Sequence, residues 1–499
     1  MTAGNRVSTR AAGPLTASPA AAPPGPSSAQ QAMTLALTAV AFFMVVLDAL
    51  VVVTALPSIH HSLGGSLGTL QWTVNAYSMA FGAGIITAAA LGDRLGRRRV
   101  YTAGLAVFTA ASAACALAPD VGLLITARAV QGLGAAVITP LSLTILTSAF
   151  PAERRGAIIG IWGGISGLGV AVGPLIGGAV TQGLSWHWVF WVNVPVGVAA
   201  VAGARLGLAE SRGPLTRLDI PGLVLVSAGA AALIWALVQG SQSGWTGARV
   251  LFGLILGAVA IAVFLAWESR AAQPMIPLGL FRTASFSAAV AAGFLTGAAI
   301  YAAAFLTSQF FQLAAGDSPL ETGLRFLPWT AAPLLVAPLA GALSDRVGAR
   351  VLIVPGLLLQ AAGFAWIVAL AGSPGSYARY LVPFIIAGVG VSMAIPATSA
   401  AALNAVAPAS LGKASAIFNT LRQFGAVFGI AIGTAIFNSK GSLAGPAAVT
   451  SGYRPAMAAA AGFSALGAVV AVAIRRRAAN RSPGMPAVPA VQDRQLEPR

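Results

Sequence analysis

Apolar runs of spanning length, separated by short polar or Gly/Pro-rich punctuation, follow one another along almost the whole chain. A helix of about 20 apolar residues crosses the ~30 Å hydrocarbon core of a bilayer. The runs predict spans near 33–56, 69–91, 100–118, 121–148, 156–180, 188–208 and 219–239. Further spans are expected near 249–267, 284–313, 323–343, 351–371, 380–404, 415–437 and 454–474. The first run begins too late and is too long for a secretory signal, and no small-x-small cleavage site follows it. It reads as a first span. The expected fold class is an all-α polytopic membrane protein of fourteen spans.

Composition agrees, with 57% hydrophobic and only 8% charged residues. A soluble domain carries roughly 25% charged residues. The net charge of +17 does not indicate nucleic acid, because the basic residues fall in short packets between apolar runs. That distribution is the positive-inside pattern of a multi-spanning protein. With both ends cytoplasmic, 22 of the 29 basic residues lie inside. Only Arg249, Arg379, Lys440 and Arg454 fall outside, and Arg128, Arg325 and Arg422 lie within spans. Displacing the count by one span would scramble this asymmetry. Residues 1–32, rich in Ala, Pro, Ser and Gly, read as a disordered cytoplasmic tail, and 475–499 as a second.

Two loops repeat. "LGDRLGRRRV" (91–100) follows the second expected span and "LSDRVGARVL" (343–352) the tenth, 252 residues and eight spans apart. Two six-helix bundles with two helices inserted between them account for that spacing. The bundles are expected at 33–208 and 284–474, with the inserted pair and its flanking loops at 209–283.

One acidic residue lies deep in a span. Asp48 is nine residues before Pro57, about 13 Å below the outer surface at 1.5 Å per residue. Arg128 is seven residues into the fourth span, about 11 Å below the same surface. Equal depth suggests a pair. A purely structural ion pair and a proton-carrying carboxylate whose protonation follows conformation both remain open. Arg325 and Arg422 are near enough to the outer and inner faces to snorkel. His60, His61 and His187 lie in outer loops with no ligand spacing, so no metal and no cofactor is expected. Cys115 can form no internal disulfide. No nucleophile–base constellation or phosphate loop is present, so the chain is not expected to be an enzyme.

The fifth span contains "GGISGLGVAVGPLIGGAV" (163–180), dense in poor helix formers. Gly costs a helix about 1 kcal/mol relative to Ala and Pro about 3. Gly169, Gly173 and Gly177 repeat every fourth residue, giving a smooth stripe that lets a neighbouring backbone approach closely. Pro174 adds a kink. Ordinary helix packing would use the same stripe.

These segments together resemble the major facilitator superfamily, in its fourteen-span drug:proton antiporter type. The carrying residues are "LDALVVVTALP" (47–57), "LGDRLGRRR" (91–99), "RAVQGLGAA" (128–136), "GVAVGPLIGG" (169–178), "WHWVFWVNVPVG" (186–197) and "SPLETGLRFLP" (318–328). Ala89 stands where the family's loop motif usually opens with Gly, and His187 where an arginine is usual. The resemblance implies proton coupling through Asp48 and Arg128. It also implies a cytoplasmic latch of Asp93, Arg94, Gly96 and Arg97, with Asp345 and Arg346 as its second copy. Gly169, Gly173, Pro174, Gly177 and Gly178 would mark an exporter. The expected activity is proton-driven export, by alternating access, of small amphipathic or cationic organic compounds such as drugs. Tyr77 and Trp162 are candidates for the substrate cavity. The partners are substrate, protons and the plasma-membrane bilayer, and the chain is expected to work as a monomer. Uptake of a metabolite with protons is the alternative.

Overall fold

The computed structural model describes residues 27–212, 219–271, 274, 276–372, 377–407 and 410–475. Among these the helices are α1 (Ser28–Leu63), α2 (Leu67–Leu95), α3 (Arg97–Ala116), α4 (Val121–Ala149) and α5 (Ala152–Gly183). There follow α6 (Trp188–Trp191), α7 (Asn193–Gly207), α8 (Ile220–Ser243), α9 (Ala248–Arg270), α10 (Ala284–Gln309) and α11 (Pro319–Thr330). The last five are α12 (Ala332–Val347), α13 (Ala349–Leu370), α14 (Ala378–Asn404), α15 (Leu411–Lys440) and α16 (Pro446–Ala471). Twelve helices or continuous helix pairs are long and apolar enough to cross a membrane, thirteen if the bent α2 counts as one. The glycine-rich α5, 32 residues long, is not among them. "Outer" and "inner" below denote the sides expected from the basic residues.

Polar residues between the runs set the helix starts. Asp120 caps α4 by accepting from the Leu123 N–H (2.9 Å), and Asp219 caps α8 through the Gly222 N–H (2.9 Å). Ser318 and Glu321 form a reciprocal capping box that opens α11. Ser27 caps α1 through the Gln30 N–H (3.3 Å), so the helix starts inside the segment expected to be a tail. Ala, Gln and Met after Ser27 are good helix formers, and the cap satisfies a free amide. Residues 1–26 and 476–499 lie outside the described part.

Helices α1–α7 pack among themselves, chiefly as α2 on α4, α3 on α4 and α1 on α5. Helices α10–α16 do likewise, chiefly as α13 on α14 and α10 on α15. The two groups meet along two flanks, α5 against α11 and α12 on one and α2 against α15 on the other. The pair α8–α9 packs beside the second flank, where α8 touches both α2 and α15.

Glycine makes these contacts close. A Cβ on Gly169, Gly173 or Gly177 would meet α1 at Phe43, Leu50, and Val51 with Thr54, so the expected stripe faces α1. Gly178 faces the other way: a Cβ there would strike the Pro319 carbonyl of α11, and one on Gly323 of α11 would strike the Pro174 carbonyl. The outer halves of α5 and α11 thus interlock through a glycine from each side. A second stripe escaped the sequence reading. The 252-residue offset that relates Asp93 to Asp345 also carries Gly173 to Gly425 and Gly177 to Gly429 on α15. Those two press on the Phe294 and Ala298 carbonyls of α10, as α5 presses on α1. The repeat lies in the packing as well as in the loops.

Towards the inner end the flank loosens, and a Cβ on Gly164 (α5) or Gly341 (α12) would meet nothing within 4 Å. The tightest approaches on α5 are at Gly178, against the backbone of α11, and Gly177, against the Thr54 hydroxyl and the Val51 backbone, while Gly173 faces the Leu50 side chain at 3.0 Å. Gly178→Ala and Gly177→Ala should each cost about 1–3 kcal/mol through overpacking. Gly164→Ala should be neutral or stabilise by up to about 1 kcal/mol, as Gly lowers helix stability. Thermal unfolding of the detergent-solubilised variants, followed by size-exclusion fluorescence, gives the order. Equal midpoints for Gly164→Ala and Gly178→Ala would contradict it.

Candidate functional site

Asp48 and Arg128 meet inside the first bundle. The Arg128 Nη1 donates to Asp48 Oδ2 at 2.5 Å, and both side chains are fully buried. The other carboxylate oxygen, Oδ1, accepts from Gln131 Nε2 (2.9 Å) and from Asn193 Nδ2 (2.9 Å). Arg128 Nη1 also donates to Gln131 Oε1 (2.7 Å), and its Nε to the Thr73 carbonyl (3.0 Å). Ser112 accepts from both amides at 3.1 Å and passes its own proton to the Phe190 carbonyl at 3.0 Å. The guanidinium lies 4.2 Å from the centre of the Tyr77 ring, a cation–π contact. Five helices (α1, α2, α3, α4 and α7) therefore supply one charged cluster.

The sequence reading had two of these residues and missed the amides. Gln131 is one turn after Arg128 in "RAVQ", and Asn193 sits where the sixth expected span breaks at Val192 into α6 and α7. A buried ion pair needs further hydrogen bonds to offset desolvation; the only cue for them was polar residues inside apolar runs.

Tyr77 is not a cavity residue. It is 1% exposed, its ring covers Arg128, and its hydroxyl donates to the Val45 carbonyl at 3.3 Å. Trp162 stacks on Phe42 at 4.2 Å and is also absent from the cavity wall. Both rings are drawn to aromatic or cationic partners within their own bundle. The cavity, about 230 Å³, lies between the bundles. It is bounded by Leu50 and Thr54 of α1, Pro174 of α5, Phe326 and Trp329 of α11, and Ser392 of α14. Asp48 and Leu50 leave α1 on different faces, one toward α4 and α7 and the other toward the cavity.

The first copy of the loop motif is held within its own bundle. Arg97 pairs with Asp93, Nη2 to Oδ1 at 2.8 Å. Gly96 has φ +109°, a conformation that favours glycine, and a Cβ there would meet the Glu210 carboxylate at 2.9 Å. Glu210 accepts from the Arg98 N–H (3.0 Å) and lies 3.8 Å from the Arg98 and Arg99 side chains. These contacts join α2 and α3 to the chain after α7. Arg94 is exposed. The side chains of Asp345 and Arg346 lie outside the described residues.

Arg325 does not snorkel. Its Nη2 pairs with Asp317 Oδ1 at 2.6 Å, and its guanidinium lies over Phe311 and Tyr377 at 5.3 and 5.1 Å. A nearly buried carboxylate holds it in place. Arg422 reaches Asn419 at 3.5 Å. His187 stacks on Trp186 at 3.8 Å, and burial holds its imidazole below the usual histidine range. Among the described residues, no group of three or more His, Cys, Asp or Glu is placed to hold a metal ion.

A family model described as Major Facilitator Superfamily matches residues 38–429, with a second match over 289–493. The chain belongs to the Major Facilitator Superfamily. Multidrug resistance protein Stp of Mycobacterium tuberculosis is 37% identical over 81% of this chain and 75% of its own length. The tetracenomycin C resistance and export protein of Streptomyces glaucescens is 34% identical, over 80% and 74%. Cephamycin export protein CmcT of Amycolatopsis lactamdurans is 36% identical, over 92% and 95%. A solved auto-inhibited peptide transporter of the POT family shares the fold at TM-score 0.65 and 16% identity, over 91% of this chain and 99% of that one. The protein is a multi-pass membrane transporter of the bacterial plasma membrane.

The Asp317–Arg325 pair gives a pH test. Burial pushes the Asp317 carboxyl up to about 6, while Arg325 opposes the rise. Because the folded-state value lies above the unfolded one, this group's contribution is fully present below about pH 4 and lost as pH rises through 6. Arg325→Gln removes the opposing charge and should cost about 1–3 kcal/mol more stability at pH 8 than at pH 5, read as a larger drop in thermal midpoint at the higher pH. Adding Asp317→Asn should remove that pH dependence. An equal decrement at both pH values would contradict the pairing.

Proposed function

We propose that this protein exports small organic compounds, drugs or antibiotics among them, in exchange for protons. The observation that carries the reading is the Asp48 cluster, a buried carboxylate on the helix whose other face bounds the inter-bundle cavity. Relatives named for multidrug resistance, tetracenomycin C export and cephamycin export support export as the direction and drugs as the cargo. Fourteen spans with both termini inside complete the reading, with α5 as the span beyond the thirteen. Its length and the arginine asymmetry support this. The bundles are taken as 33–208 and 284–474, with the inserted helices within 209–283.

The chemistry of the exchange follows from the donors around Asp48. Three N–H groups point at the ionised carboxylate, one charged and two from amides. A proton arriving on Oδ1 puts an O–H where two N–H groups already point, and protonation of either oxygen leaves the Arg128 charge uncompensated. Breaking a buried pair in this way costs about 3–5 kcal/mol. Protonation therefore requires α1 to move against α4 and α7, and α1 carries Leu50 and Thr54 with it. The cavity and the proton site are coupled by one rigid helix.

In alternating access the bundles rock about this site. At the outer end Gln312 donates to the Thr54 carbonyl (2.9 Å) and Ser308 to the Val53 carbonyl (2.9 Å), joining α1 to α10 and the π turn that extends it. The loose inner half of α5 and α12 supports reading this conformation as closed outside and open inside. Asp93, Arg94 and Arg97 would then bridge the seam in the opposite state, with Asp345 and Arg346 as a weaker second latch.

The test is transport in everted vesicles. Asp48→Asn should insert normally but abolish substrate-driven proton efflux and concentrative transport, while Asp48→Glu should retain part of each. Uphill transport by Asp48→Asn at the normal rate would overturn the assignment. Proton-driven accumulation in the opposite direction would make the protein an uptake symporter.

A further inference from the structure

The cavity between the bundles is uncharged. Among the described residues its wall is aliphatic, aromatic or hydroxylic, with no acidic or basic side chain. The hydroxyls are turned into the helices. Thr54 donates to the Val51 carbonyl (3.0 Å), Ser392 to that of Gly388 (2.5 Å), and Thr330 to that of Ala171 (3.0 Å). Two of the charges on helices that bound it are already paired. Asp48 is spent on Arg128 behind α1, and Arg325 is held by Asp317 toward the outer end of α11. One wall is flat and aromatic, with the Phe326 and Trp329 rings stacked 28° apart at 5.9 Å between centroids. Flat rings offer offset stacking and a large apolar contact area.

A permanent cation entering this cavity would leave water and meet no counter-charge. Desolvating an unpaired ion is strongly unfavourable, whereas an uncharged apolar molecule gains from the same burial. The expected cargo included both amphipathic and cationic compounds; the wall argues against the cationic ones.

We propose that the inter-bundle cavity selects uncharged lipophilic compounds with a flat aromatic face, and that their export is electrogenic. This rests on the proton-exchange reading above. The charge balance is direct. A neutral molecule leaving as one proton enters moves one positive charge inward. A monovalent cation exchanged for one proton would move none. An inside-negative potential must therefore accelerate export even when no pH difference is present.

The experiment uses the full-length protein in proteoliposomes, with potential set by potassium and valinomycin and pH set independently. Nile red serves as the neutral probe and ethidium as the permanent cation. Transport of Nile red is expected to exceed that of ethidium at least tenfold and to rise severalfold when a potential alone is imposed. Ala337→Glu, which adds a carboxylate to the wall on α12, should raise ethidium transport at least tenfold and lower that of Nile red. Ala304→Asp on α10 is the second variant should the first fail to insert. Wild-type ethidium transport equal to that of Nile red, or Nile red transport indifferent to potential, overturns the inference while proton-coupled transport stands. If neither probe moves and neither evokes proton flux, the inference fails. If Nile red moves down its gradient without protons, the exchange reading itself falls.

Discussion

A carboxylate in the middle of a membrane protein constrains everything around it. Asp48 must be matched by charge and by hydrogen bonds, and four other helices are arranged to provide them: α4 brings Arg128 and Gln131, α7 brings Asn193, α3 brings Ser112, and α2 offers the Thr73 carbonyl to the guanidinium. Those helices cannot shift independently while the carboxylate is ionised. The glycines of α5 then let α1 be gripped from its other side. The first bundle is a charged core clamped by a smooth helix.

The second bundle repeats the clamp without the charge. Gly425 and Gly429 of α15 hold α10 as Gly173 and Gly177 of α5 hold α1, yet the 252-residue offset carries Asp48 to Ile300 and Arg128 to Tyr380. In place of the ion pair stands an aromatic cluster, with Phe311, Phe326, Trp329 and Phe384 ring against ring. This asymmetry gives the two halves different work in our reading. One half takes up the proton, and the other presents Phe326 and Trp329 to the cargo.

Much of this was legible in the sequence because lipid enforces simple rules. Span-length apolar runs, arginine asymmetry and the Asp93/Asp345 repeat pointed to the helices and to the pairing of two halves. Asp48 and Arg128 stood out because a charge in a span is costly and so must be matched at its own depth. The neutral partners were harder to see. Gln131, Asn193 and Ser112 look like tolerated polar residues until three dimensions bring them to one carboxylate. Tyr77 and Trp162 failed as cavity candidates because nothing in a one-dimensional pattern says whether an aromatic ring faces a cavity or a neighbouring helix. Arg325 was misread because Asp317 lies in a loop by sequence, yet its carboxylate is nearly buried. Gly178 and Gly323 could each be seen, but their interlock across the seam belongs to the tertiary structure alone.

The central claim is that Asp48 is the group that gains and loses the proton. Infrared difference spectroscopy of the reconstituted protein between acidic and alkaline pH reads this directly through the carboxylic C=O stretch. The account predicts a band from a protonated, buried carboxyl that disappears with rising pH, shifts when substrate is added, and is missing in Asp48→Asn. The same band persisting unchanged in Asp48→Asn would assign the proton to another residue and contradict the account.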